Sequence, residues 1–173
     1  DMVSANARVS DNARVNGNAR VSGNARVFGD AWVSGDARVF DNALVSGDAR
    51  VFDNALVSDN ARVNGNALMS GDARVFGNAW VYGNARVYGN ARVSGNAKIE
   101  NDTDYLCIGP IGSRNDYLTA HRDSVCGIRV NTGCFSDSLE AFEHAVKQKD
   151  PKDTHRIQYE CLISLIKRRF QDG

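Results

Sequence analysis

The chain has 173 residues, with 21 Lys and Arg against 21 Asp and Glu, and the balance survives a split at residue 100: one net positive charge before it, one net negative charge after. That balance excludes a nucleic-acid binder driven by charge, and no stretch approaches the roughly 18 consecutive apolar residues of a membrane span. The N-terminus lacks the basic and apolar segments of a secretory leader, so a cytoplasmic, reducing setting is expected, with Cys107, Cys126, Cys134 and Cys161 as thiols at spacings that match no zinc signature.

From the start of the chain, Val recurs at every sixth position between Val3 and Val93, with Met69 and Ile99 in the same register. Ala follows four residues after each, from Ala7 to Ala97, always preceded by Asn or Asp. A period of six rather than five argues against a pentapeptide-repeat helix. In a unit such as Ala19-Arg20-Val21-Ser22, alternation sends Ala and Val to one face and Arg and Ser to the other, as a half-buried strand requires. The Gly23-Asn24 pair that follows suits a corner visiting positive φ. Three such corners close a triangular coil of eighteen residues, and residues 1–100 supply five to six coils, a prism about 25 Å tall at a strand spacing of about 4.8 Å. The chain starts inside a hexad, with Asp1 in an Ala slot, so upstream residues or a partner subunit are expected to shield the first coil.

The pattern Val-Ser-Gly-Asn-Ala-Arg (Val21 to Arg26) resembles the hexapeptide repeat of left-handed parallel β-helix proteins, and the resemblance covers nearly 60% of the chain. The left-handed sense is implied by that resemblance alone, because parallel crossovers in general favour the right hand. The Gly-Asn-Ala-Arg-Val wording also resembles repeats of phage and prophage proteins. The segments Ile108-Gly-Pro-Ile-Gly-Ser-Arg-Asn-Asp116, Thr132-Gly-Cys-Phe135 and Ser138-Leu-Glu-Ala-Phe142 resemble the region that follows those repeats.

Asn6, Asn24, Asn42, Asn60, Asn78 and Asn96 share one corner and are expected to form an amide ladder. Asp30 over Asp48 and Asp41 beneath Asp59 pair acids that suit a cation, although neighbouring Arg side chains neutralise them and no metal is assigned. Ten Arg side chains project outward from the coils, interleaved with Trp32, Leu44, Leu56, Leu68 and Trp80. Beside them stand Phe28, Phe40, Phe52, Phe76, Tyr82 and Tyr88. Trp32, Phe40, Phe52, Phe76, Trp80, Tyr82 and Tyr88 are candidate interface residues, since Arg with aromatics is the composition of protein interfaces. A homo-oligomer is expected, and the resemblance favours a trimer.

Residues 101–173 read as a small α+β domain. Strands are predicted at 105–108, 117–122 and 128–131, and helices at about 138–149 and 154–170. Asp137 with Glu140 reads as a capping box, and Ile157, Cys161, Leu162, Leu165 and Ile166 are predicted to face inward on the second helix. A β-helix ends on an open coil edge, so the least this region does is cap it. The Gly-rich segment 109–116 gathers Ser113, Arg114, Asn115 and Asp116, with Arg122 nearby. These five are the candidate ligand site for a phosphate or carboxylate, though an ordinary hairpin connection would use the same residues and the P-loop lysine is missing.

Acyltransferases of the resembling fold use a His on a coil as general base, and the related carbonic anhydrases need three His for zinc. Here His121, His144 and His155 all follow the repeats; His144 and His155 fall on predicted helices, and His121 on a strand beside Arg122. No catalytic residue and no cofactor are therefore expected. The reading is a non-catalytic, phage-type interaction protein that binds a host protein, a defence component among the candidates, or sequesters a small anionic ligand. A diverged acyltransferase-like enzyme is the alternative.

Overall fold

A computed structural model describes residues 2–171, so Asp1 lies outside the described residues. Among the described residues, sixteen two-residue strands follow one another every six residues, from β1 (Arg8–Val9) to β16 (Lys98–Ile99). Every third strand pairs in parallel with the one eighteen residues on, as in Arg26 beside Leu44 and Val27 beside Val45. This gives three parallel sheets, of six, five and five strands. The molecule is thus a parallel β-solenoid of about five turns, followed by a small region with an antiparallel sheet and two helices.

The repeat chemistry explains each slot. Ala and Val from Ala19 to Val93, with Met69, are fully buried in one continuous core. Each coil contributes three of each, and a buried Val contributes about 1.5–3 kcal/mol. At the corners, Gly23 has φ +68, and a Cβ there would stand 2.9 Å from the Asp41 backbone nitrogen of the next coil. Where Asp replaces Gly in that slot, its carboxylate compensates for the backbone strain. Asp53 (φ +59) and Asp59 (φ +55) accept the N–H of Gly71 at 3.0 Å and of Gly77 at 2.9 Å. Asp41 likewise accepts from the Asp59 N–H at 3.4 Å, and Asp30 from Asn12 Nδ2 at 3.0 Å, so these acids serve the corners. The Asn ladder runs by side-chain bonds from Asn6 through Asn24, Asn42 and Asn60 to Asn78, at 3.2 to 3.4 Å. Asn96 instead gives its backbone N–H to Asp123.

After a 3-10 turn at Asp102–Asp104, the antiparallel sheet runs β17 (Tyr105–Ile111), β18 (Asp116–Asp123), β19 (Gly127–Thr132) and β20 (Phe135–Ser138) in sequence order. Helices α1 (Leu139–Lys147) and α2 (Thr154–Gln171) follow. Three readings of the sequence need correction. β17 continues past Ile108 through Gly109 and Pro110, with a register shift before Ile111. The α1 N-cap is Ser138, whose Oγ accepts the Ala141 N–H at 3.1 Å, not Asp137. On α2 the inward residues are Leu162, Ile163, Ile166 and Phe170, while Ile157, Cys161 and Leu165 are exposed.

The junction closes the solenoid by chemical mimicry. Along the coils, Arg74, Phe76 and Asn78 donate their N–H groups to carbonyls of Ala91, Val93 and Gly95 in the next coil. The equivalent donors one coil later, Arg92, Ser94 and Asn96, have no coil above them. β18 lies across them and supplies side-chain acceptors at alternate positions: Thr119 Oγ1 at 2.9 Å, His121 Nε2 at 3.3 Å and Asp123 Oδ2 at 3.0 Å. On a neighbouring edge Asp102 accepts from the Arg86 N–H at 2.7 Å. Tyr105 fills the end of the Val/Ala core. The other face of β18, Leu118 and Ala120, packs against the helices.

Candidate functional site

The β17–β18 hairpin tip, Ile111 to Asp116, forms one wall of a cavity of about 320 Å³. The turn is tight: the Asn115 N–H donates to the Gly112 carbonyl at 3.2 Å, with φ +72 at Gly112 and +47 at Asn115. Gly112 is required twice over, because the Tyr159 hydroxyl of α2 occupies the place a Cβ would take. The opposite wall is the β19–β20 turn at Gly133–Cys134; the helices supply Ala145, Val146 and Tyr159, and the α1–α2 connection supplies Lys149. Phe135, Phe142 and Tyr159 make an aromatic floor, with ring centroids 5.2 Å apart for Phe135–Phe142 and 5.4 Å for Phe142–Tyr159.

Of the five predicted ligand residues, Ser113, Arg114 and Asp116 line this cavity. Asp116 is already engaged: it accepts the N–H of Gly133 at 3.1 Å and of Tyr117 at 2.8 Å, and Arg92 Nη1 stands 3.7 Å away. Arg92 also donates to the Gly133 carbonyl at 3.2 Å, so the ion pair ties both turns to the last coil. Asn115 is exposed and shapes the turn instead of lining the cavity. Arg122 does not join the group. It lies six residues along β18, about 20 Å at strand rise, where its Nε donates to Asp104 at 3.2 Å and its guanidinium stands over Phe170 at 5.5 Å.

Charge at the cavity rim favours an anion. Among the described residues, neither Arg114 nor Lys149 has a carboxylate within 4.0 Å. Arg114 Nη1 reaches Cys134 Sγ at 3.6 Å, and the Lys149 ammonium stands 6.0 Å from the Tyr159 ring centre. The one acid in the lining, Asp116, is compensated by Arg92. Two cations thus flank an aromatic floor, an arrangement that can hold a carboxylate, phosphate or sulfonate attached to an apolar body. Lys149, Phe135 and Tyr159 were not among the predicted site residues. They come from three separate elements, Phe135 from β20, Tyr159 from α2, and Lys149 from the connection after α1 ends at Lys147, so no single stretch of sequence groups them.

None of the three histidines lines this cavity. His121 is fully buried, and its pKa is lowered to about 4 by burial, only partly opposed by its bond to Arg122 and by Asp123. Its Nδ1–H donates to the Arg122 carbonyl at 3.1 Å, while Nε2 accepts from Ser94 and, at 3.1 Å, from Asn131. That tautomer is the one that satisfies all three partners. Beside it burial pushes the Asp123 carboxyl up, but Arg129 at 2.8 Å and the N–H groups of Val125, Asn96 and Cys126 outweigh this and hold it far below the usual range. His144 is exposed and His155 half-buried.

The seven candidate interface residues do not converge on one surface. Trp32, Phe52 and Tyr88 belong to one face of the solenoid, Trp80 and Tyr82 to the second, Phe40 and Phe76 to the third. Trp32, Trp80 and Tyr88 are exposed and the others half-buried. Both indole N–H groups are satisfied, Trp32 by Asn16 at 2.9 Å and Trp80 by Asn64 at 2.7 Å, and Arg50 stands 6.0 Å over the Trp32 ring.

Fold and site together define a parallel β-solenoid of six-residue repeats, closed by an α+β cap that carries a small cationic, aromatic cavity. The signature of the YdcK beta solenoid repeat matches residues 7–21, 19–35, 37–51, 55–71, 69–83, 79–95 and 85–101, more than half of the chain. The chain belongs to that family. No curated protein and no solved structure matches it.

Proposed function

We propose that this is a non-catalytic binding protein whose solenoid is scaffold and whose recognition site is the cavity of the C-terminal region, taking a small organic anion. The observation that carries the reading is a pair of cations, Arg114 and Lys149, that have no carboxylate within 4.0 Å among the described residues and that flank the Phe135–Phe142–Tyr159 floor. Binding rather than turnover is supported by the absence of His from every coil and by the engagement of both His121 ring nitrogens in the cap. The repeat wording supports a phage-type origin, with the host cytoplasm as compartment. Among the described residues no helix is long and apolar enough to cross a membrane.

The test is a fluorescence titration with anilinonaphthalene sulfonate, an aromatic anion of suitable size. Arg114→Ala and Lys149→Ala should each weaken binding about tenfold, or about 1.4 kcal/mol, at unchanged melting temperature. Affinity equal to that of the unsubstituted protein in both variants would overturn the reading, and acetyl transfer from acetyl-CoA by the purified protein would replace it with the enzymatic one. A second reading, a host protein bound along the solenoid, a defence component included, has one favouring observation. Trp32, Arg50 and Phe52 line a shallow cavity of about 280 Å³ on one face, and Trp32→Ala should then abolish capture of that partner while leaving the dye titration unchanged.

A further inference from the structure

Helix α2 is apolar on two opposite sides, where a surface helix of a closed domain has one such stripe. Leu162, Ile163, Ile166 and Phe170 are buried against the sheet and α1. On the outer side Ile157 is 51% exposed, Leu165 is 46% exposed, and the Cys161 thiol lies exposed midway between them. The three residues are spaced i, i+4 and i+8 and therefore form one stripe. We infer that this outer face is a self-association surface, and that two copies of the chain pack α2 against α2 antiparallel about a two-fold axis at Cys161.

The choice of a second copy, and of the antiparallel sense, comes from the sequence of the face itself. About an axis at Cys161, each residue meets the partner's residue equally far on the other side. Ile157 then meets the partner's Leu165, and Gln158 meets the partner's Ser164. Asp153 meets the partner's Arg169, so the two symmetry-related copies of this pair set acid at the N-terminal end against base at the C-terminal end, and Arg168 lies over the partner's neutral Thr154. Arg168 and Arg169 are exposed and, among the described residues, have no carboxylate within 4.0 Å. A parallel pair would instead bring the two arginine clusters together and align the helix dipoles. The small Cys161 side chain at the crossing point allows the close approach that helix pairs need, about 8 Å between axes. The face is isologous, as a two-fold dimer demands.

The stripe is short, so the expected dimer is a weak one, with Kd on the order of 10–100 μM. Sedimentation or light scattering from about 1 to 500 μM, a range spanning such a Kd on both sides, should show a monomer giving way to a dimer. Leu165→Glu, and independently Ile157→Glu, should leave a monomer throughout with the melting temperature unchanged, because both side chains are exposed in the monomer. Diamide, which takes up the two thiol protons and two electrons, should link the copies through Cys161, and Cys161→Ser should abolish the link. In a Cys161→Ser background, mixing Ile157→Cys with Leu165→Cys chains should give mainly the mixed disulfide. The inference fails if the protein stays monomeric over the whole range. It fails equally if an oligomer survives both Glu variants, or if the link forms through Cys134.

Discussion

His121 serves the fold only while uncharged, because its Nε2 must accept the Ser94 N–H at the end of the solenoid. Its folded pKa, about 4, lies below the ordinary 6.5. The unfolded chain therefore takes up the proton first. Stability is complete above pH 6.5 and falls as pH drops from there toward 4, by up to about 3 kcal/mol. The charged groups facing the ring, Asp123 and Arg129, offset one another. Denaturant midpoints measured from pH 7 to pH 4 should fall in that window, and His121→Asn should flatten the dependence there; an unchanged slope would show that the imidazole is not the acceptor. Asn115 gives a second prediction at this scale. With φ +47 outside the cavity lining, Asn115→Gly should leave dye affinity unchanged and alter stability by less than about 1 kcal/mol.

At the scale of elements, β18 stands in for a missing coil. Thr119→Val should leave the Arg92 N–H unpaired and cost about 1–3 kcal/mol. Asp123→Ala should cost about 3–5 kcal/mol, because it strands the Arg129 guanidinium as well as the Asn96 N–H. Hydrogen exchange at the Arg92 and Asn96 amides, faster in the respective variants, checks both. This cap was legible in the sequence as a need and illegible as a mechanism. Thr119, His121 and Asp123 alternate with Leu118 and Ala120, a pattern that does not say what a polar face meets, and all three are buried. The solenoid strands were legible because each slot repeats its chemistry at every turn. α2 carries two apolar stripes of equal period, and periodicity alone does not say which one meets the core. β20, Phe135-Ser-Asp-Ser138, has too little apolar alternation to read as a strand, and it forms by pairing with β19. The cavity draws on the hairpin tip, the β19–β20 turn and both helices, so only its hairpin wall was readable in one segment.

Across the whole molecule, a single Val/Ala core runs from the first coils to Tyr105, and the C-terminal region has its own core around Leu118, Phe142 and Ile166. Val51→Asp should unfold the solenoid, since a lone buried carboxylate costs several kcal/mol in a layer of Val and Ala with no partner for it; a melting curve like that of the parent would mean the inward face is misassigned. The repeated core makes the solenoid a rigid support, and recognition is proposed for the capped end. The most direct test of that division is a hydrogen-exchange map of the intact protein with and without saturating anilinonaphthalene sulfonate. The account predicts added protection confined to Ile111–Asp116, Thr132–Phe135, Ala145–Lys149 and the α2 turn around Tyr159. Protection centred on Trp32, Phe52 or Trp80, or none anywhere, would contradict it.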